Sequence, residues 1–243
     1  MPSYRDSAVV LRTHPLGEAD RIVTLLTRSN GRIRAVARGV RRTASTFGAR
    51  LEPMSLVDAQ LHEGRSLDSV SQAESMFAFG ADLAADYPRW TTAQVFCETA
   101  ERLTPEEREP APQQFQLLVA GLGALVAREH APSLVLDAYL VRSLAVAGWA
   151  ASFDACARCG APGPHRSFSL AGGGALCPNC RVPGSATPRP ETLALLGALL
   201  SGDWEIADAS EDRVRREASG LVSAYLQWHL ERQLKSLPLV ERI

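Results

Sequence analysis

The periodicity of apolar residues changes once along this chain, near Gly80, and that change limits the fold more than any other feature. Before it the pattern is that of strands. Residues 7–12 carry Ala8-Val9-Val10-Leu11, and residues 21–27 carry Ile22, Val23, Leu25 and Leu26. Residues 32–38 alternate: Ile33, Ala35 and Ala37 fall on one face, Arg32, Arg34 and Arg38 on the other with Val36. A one-residue slip would bury the arginines, so the register is well specified. Ser29-Asn30-Gly31 predicts a hairpin between the second and third runs. Residues 39–48 read as a loop. Residues 55–62 and 67–73 are two further strands, joined at Glu63-Gly64. Five short strands in about 70 residues suit a small closed barrel such as an OB-fold; an SH3-like barrel has similar strand statistics.

After Gly80 the period is helical. Pro88 sits near a helix start, followed by Trp90, Ala93, Val95, Phe96, Thr99 and Leu103 at helical spacing. Residues 114–128 place Phe115, Leu118, Leu122 and Leu125 on one stripe. Residues 132–147 are apolar almost all round, with only Asp137 and Arg142 charged, which predicts a buried central helix. That segment is too short and too charged to span a membrane. Helical pattern resumes at 190–200 and again at 212–234, where Val214, Ala218, Leu221, Val222, Tyr225 and Leu226 form a stripe. The expected class is therefore α+β, multi-domain: a barrel over 1–79, a helical domain over 80–152 and 184–243, and a Gly-, Pro- and Cys-rich module over 153–183 inserted in it.

That module holds Cys156-Ala-Arg-Cys159 and Cys177-Pro-Asn-Cys180, with seventeen residues between the pairs. Two C-x2-C turns at this spacing match a four-cysteine zinc site, each turn aiming two thiolates at one tetrahedral metal. Gly160 follows the first pair and suits such a turn. Disulfides are the competing reading, but the first residues lack the apolar core of a secretory signal, which favours a reducing compartment, the cytoplasm. Four cysteines close the metal shell without His165 and leave no position for water, so the metal is expected to be structural, Zn2+. A zinc deaminase would need H-x-E followed by P-C-x-x-C. The one H-x-E, His229-Leu230-Glu231, comes after the cysteines, and Leu176 precedes Cys177. Cys97 lies in an apolar helical pattern and reads as a core residue.

Net charge is -1, from 26 Lys+Arg and 27 Asp+Glu, and taken whole it argues against a nucleic-acid binder. The average hides segregation. Residues 1–80 carry +3, 81–152 carry -4, 153–183 carry +2 and 184–243 carry -2. Between Asp20 and Glu52 there is no acid, while eight arginines occur: Arg21, Arg28, Arg32, Arg34, Arg38, Arg41, Arg42 and Arg50. One-signed density of this kind repels itself unless an anion sits on it, which points to a phosphate-binding surface. Arg32, Arg34, Arg38, Arg41, Arg42 and Arg50 are the expected DNA contacts. Phe47 either stacks on a base or pins the basic loop to the barrel. Glu106, Glu107 and Glu109 read as a solvated helix junction. The chain contains no phosphate-binding glycine loop, metalloprotease motif or nucleophile elbow, and nothing in it points to a catalytic pair.

These residues resemble a known family, the bacterial recombination mediator RecO. The similarity is carried by Gly17 through Arg28, by Gly31 through Gly39, by Phe47-Gly48-Ala49-Arg50-Leu51-Glu52-Pro53, by the Cys156–Cys180 module and by Leu234-Lys235-Ser236. It runs over essentially the whole chain. The resemblance implies an N-terminal OB-fold, a helical body and a zinc finger inserted in that body; some members lack the metal cysteines, and this chain keeps all four. It further implies a non-enzymatic, nucleoid-associated protein of the RecF pathway that binds single- and double-stranded DNA and anneals complementary strands. With RecR, such a protein helps load RecA onto DNA coated by single-strand-binding protein. Some relatives bind the acidic tail of single-strand-binding protein through the helical body, for which Arg128, Arg142, Arg213, Arg215 and Arg216 are candidates here. The reading from another class is a zinc-containing adaptor whose barrel binds an acidic protein; a zinc hydrolase is a third.

Overall fold

The computed structural model describes residues 2–43, 45 and 47–240. The chain divides into two compact units, residues 1–127 and 128–243.

The first unit opens with five strands: β1 (Ser3–Leu16), β2 (Asp20–Thr27), β3 (Gly31–Ala37), β4 (Ser55–His62) and β5 (Asp68–Ala78). They close a barrel in the order β1-β2-β3-β5-β4. All neighbours are antiparallel except β3 and β5, which run parallel through Ala35–Asp68 and Val36–Ser69. This five-stranded order is that of an OB-type barrel and settles the choice against an SH3-like one. Closure depends on β1. Its first half pairs with β4, from Ser3–His62 to Val9–Leu56, and its second half with β2, ending at Leu16–Asp20. The register shifts between Val10 and Arg12, and a bulge of this kind bends and twists a strand enough to serve both neighbours.

The predicted alternation in β3 is present: Ile33, Ala35 and Ala37 are buried and Arg34 is exposed. They join Ala8, Val10, Val23, Leu25, Val57, Ala59, Leu61, Val70 and Ala73 in the barrel core. β1 and β2 are buried on their outer face as well, at Val9, Leu11 and Leu26. The cover comes from helices: α2 (Tyr87–Leu103) packs on β1 and α3 (Pro112–Ala127) on β2, preceded by the short α1 (Phe79–Leu83). Burial on both faces is why these strands read as continuous apolar runs. Asp86 caps α2 by accepting the Arg89 N–H at 3.2 Å, with Pro88 in the first turn. Cys97, inside α2, is the expected core residue, and burial pushes its thiol up to about 12. At the β2–β3 turn, buried Asp6 accepts from the N–H groups of Ser29 and Asn30 and from Asn30 Nδ2. Removing that carboxylate would leave the Ser29 N–H and Asn30 Nδ2 without this acceptor at the predicted hairpin, while the Asn30 N–H keeps Thr27 Oγ1 at 3.0 Å.

The second unit is built on α4 (Pro132–Val146), with α5 (Pro190–Ser201) and α7 (Asp212–Leu230) packed on it and on each other. Ten residues of α4 are buried, so it is the central helix expected. Its two charged side chains both find partners inside the unit. Asp137 accepts from the Ser219 hydroxyl, and Arg142 donates through Nε to Leu199 O at 2.8 Å and lies 5.8 Å from the Trp204 ring centre. Trp204 begins α6 (Trp204–Asp208). Between α4 and α5 lies the cysteine module with its short ribbon, β6 (Phe168–Ser169) and β7 (Gly174–Ala175). No helix among the described residues is long and apolar enough to cross a membrane.

Candidate nucleic-acid interface and metal centre

The connection from β3 to β4 is the basic loop, and the barrel core shapes it. Val40, Phe47 and Leu51 point inward and belong to the barrel cluster. The base of the loop is tied to the β1–β2 turn. Gly39 donates its N–H to Asp20 Oδ1 at 2.7 Å, Arg41 donates its own to Ala19 O at 3.0 Å, and Arg41 Nη1 reaches Gly17 O at 3.2 Å. Gly39 has φ +65, a left-handed conformation that favours glycine. With three apolar pins inward, Arg38, Arg41, Arg42 and Arg50 are left exposed, and Arg38, Arg41 and Arg42 make no ion pair with an acid among the described residues. Phe47 is 6% exposed and pins the loop, so it is no platform for a base.

Arg21, Arg32 and Arg34 of the acid-free stretch have partners from outside it. Arg21 pairs with Glu52 at 2.7 Å. Arg32, its side chain 12% exposed, donates to Thr104 O at 2.7 Å and to Pro105 O, and lies 3.5 Å from Glu107. Arg34 meets the same Glu107 carboxylate at 2.5 Å. Arg32 is therefore a structural tether between β3 and the segment after α2, in place of the open phosphate contact expected. Glu107 is likewise a partner of arginine, in place of a solvated acid. Its place in the sequence, 73 residues from Arg34, gives no local signal of the pairing.

In the second unit the four predicted ligands converge. The sulfurs of Cys156, Cys159, Cys177 and Cys180 lie within 4.8 Å of one another, with Cys159 and Cys177 3.7 Å apart. A tetrahedral ion with metal–sulfur bonds of about 2.3 Å requires sulfur–sulfur edges of ~3.8 Å, so the four thiols fit such an ion. Each pair sits on a tight turn: Gly160 N–H donates to Cys156 O at 2.8 Å, Cys180 N–H to Cys177 O at 3.0 Å. Gly160 has φ +72, as the turn requires. Backbone N–H groups, that of Cys177 foremost, pull the Cys156 thiol down to about 6, while hydrogen bonding to the neighbouring thiols, Cys177 first, pushes Cys180 up to about 12. Thiols this close do not all ionise without a cation among them. His165 stands outside the set, with Nε2 2.9 Å from Ala161 O. Around a tetrahedral ion the four sulfurs would complete the shell and leave no position for substrate or water.

Two family models cover nearly all of this architecture. The one described as Recombination protein O N terminal matches residues 1–79, and the one described as Recombination protein O C terminal matches residues 84–238. The chain belongs to the RecO family. It is 64% identical over 242 residues to a protein named DNA repair protein RecO from a Nocardioides species, covering 98% of this chain and 99% of that one. Proteins of the same name from Streptomyces avermitilis and Thermobifida fusca are 59% and 58% identical, each match covering the full length of both chains. Within this RecO-family chain, Arg142, Arg213 and Arg215 of the arginines named for the helical body have partners in their own unit. Arg142 bonds Leu199 O, Arg213 lies 2.7 Å from Glu211, and Arg215 donates to Asp208 O and Ser210 Oγ.

Proposed function

We propose that this chain is a DNA-binding recombination mediator in DNA repair, working in the bacterial cytoplasm at the nucleoid without catalytic chemistry of its own. Family membership supports the role in repair and recombination. One observation carries the DNA-binding part: a loop held by three core residues presents Arg38, Arg41 and Arg42 outward, without acidic partners among the described residues, with Arg50 exposed in the same loop. Such a surface takes the phosphates of single- or double-stranded DNA without regard to sequence. Annealing follows if the same surface holds a strand whose bases stay free to pair. In cells, the protein would act with RecR and single-strand-binding protein to load RecA. The four cysteines would hold one structural Zn2+, which supplies folding energy to the module and no reaction.

The test is the salt dependence of binding. Neutralising Arg38, Arg41, Arg42 and Arg50 together should flatten the slope of log K against log salt on oligo-dT by about 3, at ~0.7 per phosphate, and lower the annealing rate in parallel. An unchanged slope in a folded variant refutes the placement.

A further inference from the structure

Only two residue pairs join β3 to β5, Ala35 with Asp68 and Val36 with Ser69. The N-terminal half of β3 has no strand on that side, and residues 104–109 lie along it instead, with a parallel bridge between Arg32 and Glu107. Apart from the 3.5 Å contact of Arg32 with the Glu107 carboxylate, this strap is fastened by other bonds. Arg108 N–H donates to Arg32 O at 3.0 Å, and Arg32 Nε donates to Thr104 O. The Arg108 guanidinium is 2.5 Å from Asp68 and 3.5 Å from Glu63. The backbone also packs closely: a Cβ on Gly31 would fall 1.8 Å from Glu109 O. The Glu107 carboxylate is thus not needed to hold the strap in place, and its nearer arginine is Arg34, whose Nε lies 2.5 Å away, against 3.5 Å for Arg32. That is where a phosphate oxygen would sit in a charge-assisted contact. The Arg34 and Glu107 side chains are 44% and 33% exposed, so water and salt weaken the pair and an incoming anion can displace it. Arg34 lies on the outer face of β3, and Arg38 opens the basic loop directly after the strand ends at Ala37.

We infer that Glu107 is a built-in competitor for phosphate. It occupies Arg34 and sets the edge of the DNA path, so that single-stranded DNA follows the loop arginines and stops short of the N-terminal half of β3. The inference rests on the loop reading above and adds to it the residue that limits the surface.

The experiment uses the full chain and fluorescein-labelled oligo-dT over a range of salt. Glu107→Gln should tighten binding about five-fold near 0.1 M salt and steepen the slope by ~0.7, the contribution of one further phosphate contact. Glu106→Gln removes the same charge from a side chain with no ion pair among the described residues, and should tighten binding by less than two-fold. The gain should vanish in Glu107→Gln combined with Arg34→Gln. A gain no larger than that of Glu106→Gln, or one that survives Arg34→Gln, overturns the inference. Should glutamine at 107 cost folding by circular dichroism, Glu107→Asp keeps the charge, shortens its reach and must still give a gain lost with Arg34→Gln. The variant lacking Arg38, Arg41, Arg42 and Arg50 is measured beside these. If it flattens the slope while Glu107→Gln is inert, the loop reading stands and this inference falls. If Glu107→Gln steepens the slope while the loop variant changes nothing, the loop assignment falls and the competitor stands.

Discussion

The barrel and the cysteine module reach order by opposite means. In the barrel, fifteen buried residues form one cluster, and the strands close on themselves so that every neighbour has a partner. Apolar burial there is enough to shape even a basic loop, through Val40, Phe47 and Leu51. In the module the cluster around the thiols is Cys156, Leu176 and Cys177, with Ala161, Cys180 and Val182 packed beside it; Phe153, Phe168 and Ala175 are buried besides, and both strands are two residues long. A segment of that size buries little of its own to offset its ordering, and a metal on the four thiols would supply the difference. The contrast shows where each kind of damage should register: the barrel should respond to lost volume, the module to a lost ligand.

Metal removal should give the largest effect. Structural zinc contributes on the order of 10 kcal/mol at neutral pH in small modules. Chelation, or Cys156→Ala, should therefore abolish hydrogen-exchange protection over residues 153–183 while the barrel strands keep theirs. Elemental analysis should return one zinc per chain. A metal-free chain with the same protection would erase the contrast. Next comes Phe47→Ala, expected to cost about 3–5 kcal/mol as a cavity in the barrel core. It should also weaken oligo-dT binding although no charge is removed, because the loop loses its central pin. Stability loss with unchanged affinity would show that the loop keeps its shape without Phe47. The smallest effect concerns acid. Burial alone would raise the Glu217 pKa, but the Thr192 hydroxyl, the Arg189 N–H and the Arg189 guanidinium together hold it below the usual range. A depressed carboxylate contributes stability above its unfolded value of about 4.3 and loses it as pH falls through the folded value. Glu217→Gln should therefore narrow the stability difference between pH 6 and pH 3 by roughly 1 kcal/mol, measured by urea titration; an unchanged difference would place the acid response elsewhere.

What the sequence revealed divides along the same line. The metal ligands were legible because four cysteines on two tight turns are a local pattern, and local spacing already implies geometry. The β3 register was legible because Ile33, Ala35 and Ala37 alternate with arginines. β1 was read four residues too short at each end, because its buried centre shows a periodic signal and its polar ends do not. β5 runs to Ala78 through five exposed residues that carry no pattern. The barrel's closing order and the parallel β3–β5 contact are long-range choices that no single segment encodes. The same holds for Arg32 and Arg34: their partner lies in a segment that by composition looks like any solvated turn. Phe47 was undecidable from sequence, since one aromatic in a polar loop has no neighbours at a fixed period to show which way it faces.

Val9, Leu11 and Leu26 lie on the outside of the barrel and are covered only once α2 and α3 have formed. A ribosome delivers the strands first. Until about residue 127 has emerged, the nascent barrel carries an uncovered apolar face of the kind that recruits chaperones or other chains. Cutting the gene after the last strand would make that interval permanent, so the smallest piece of this protein that stays in solution by itself should end near Ala127, well past the final strand of its barrel.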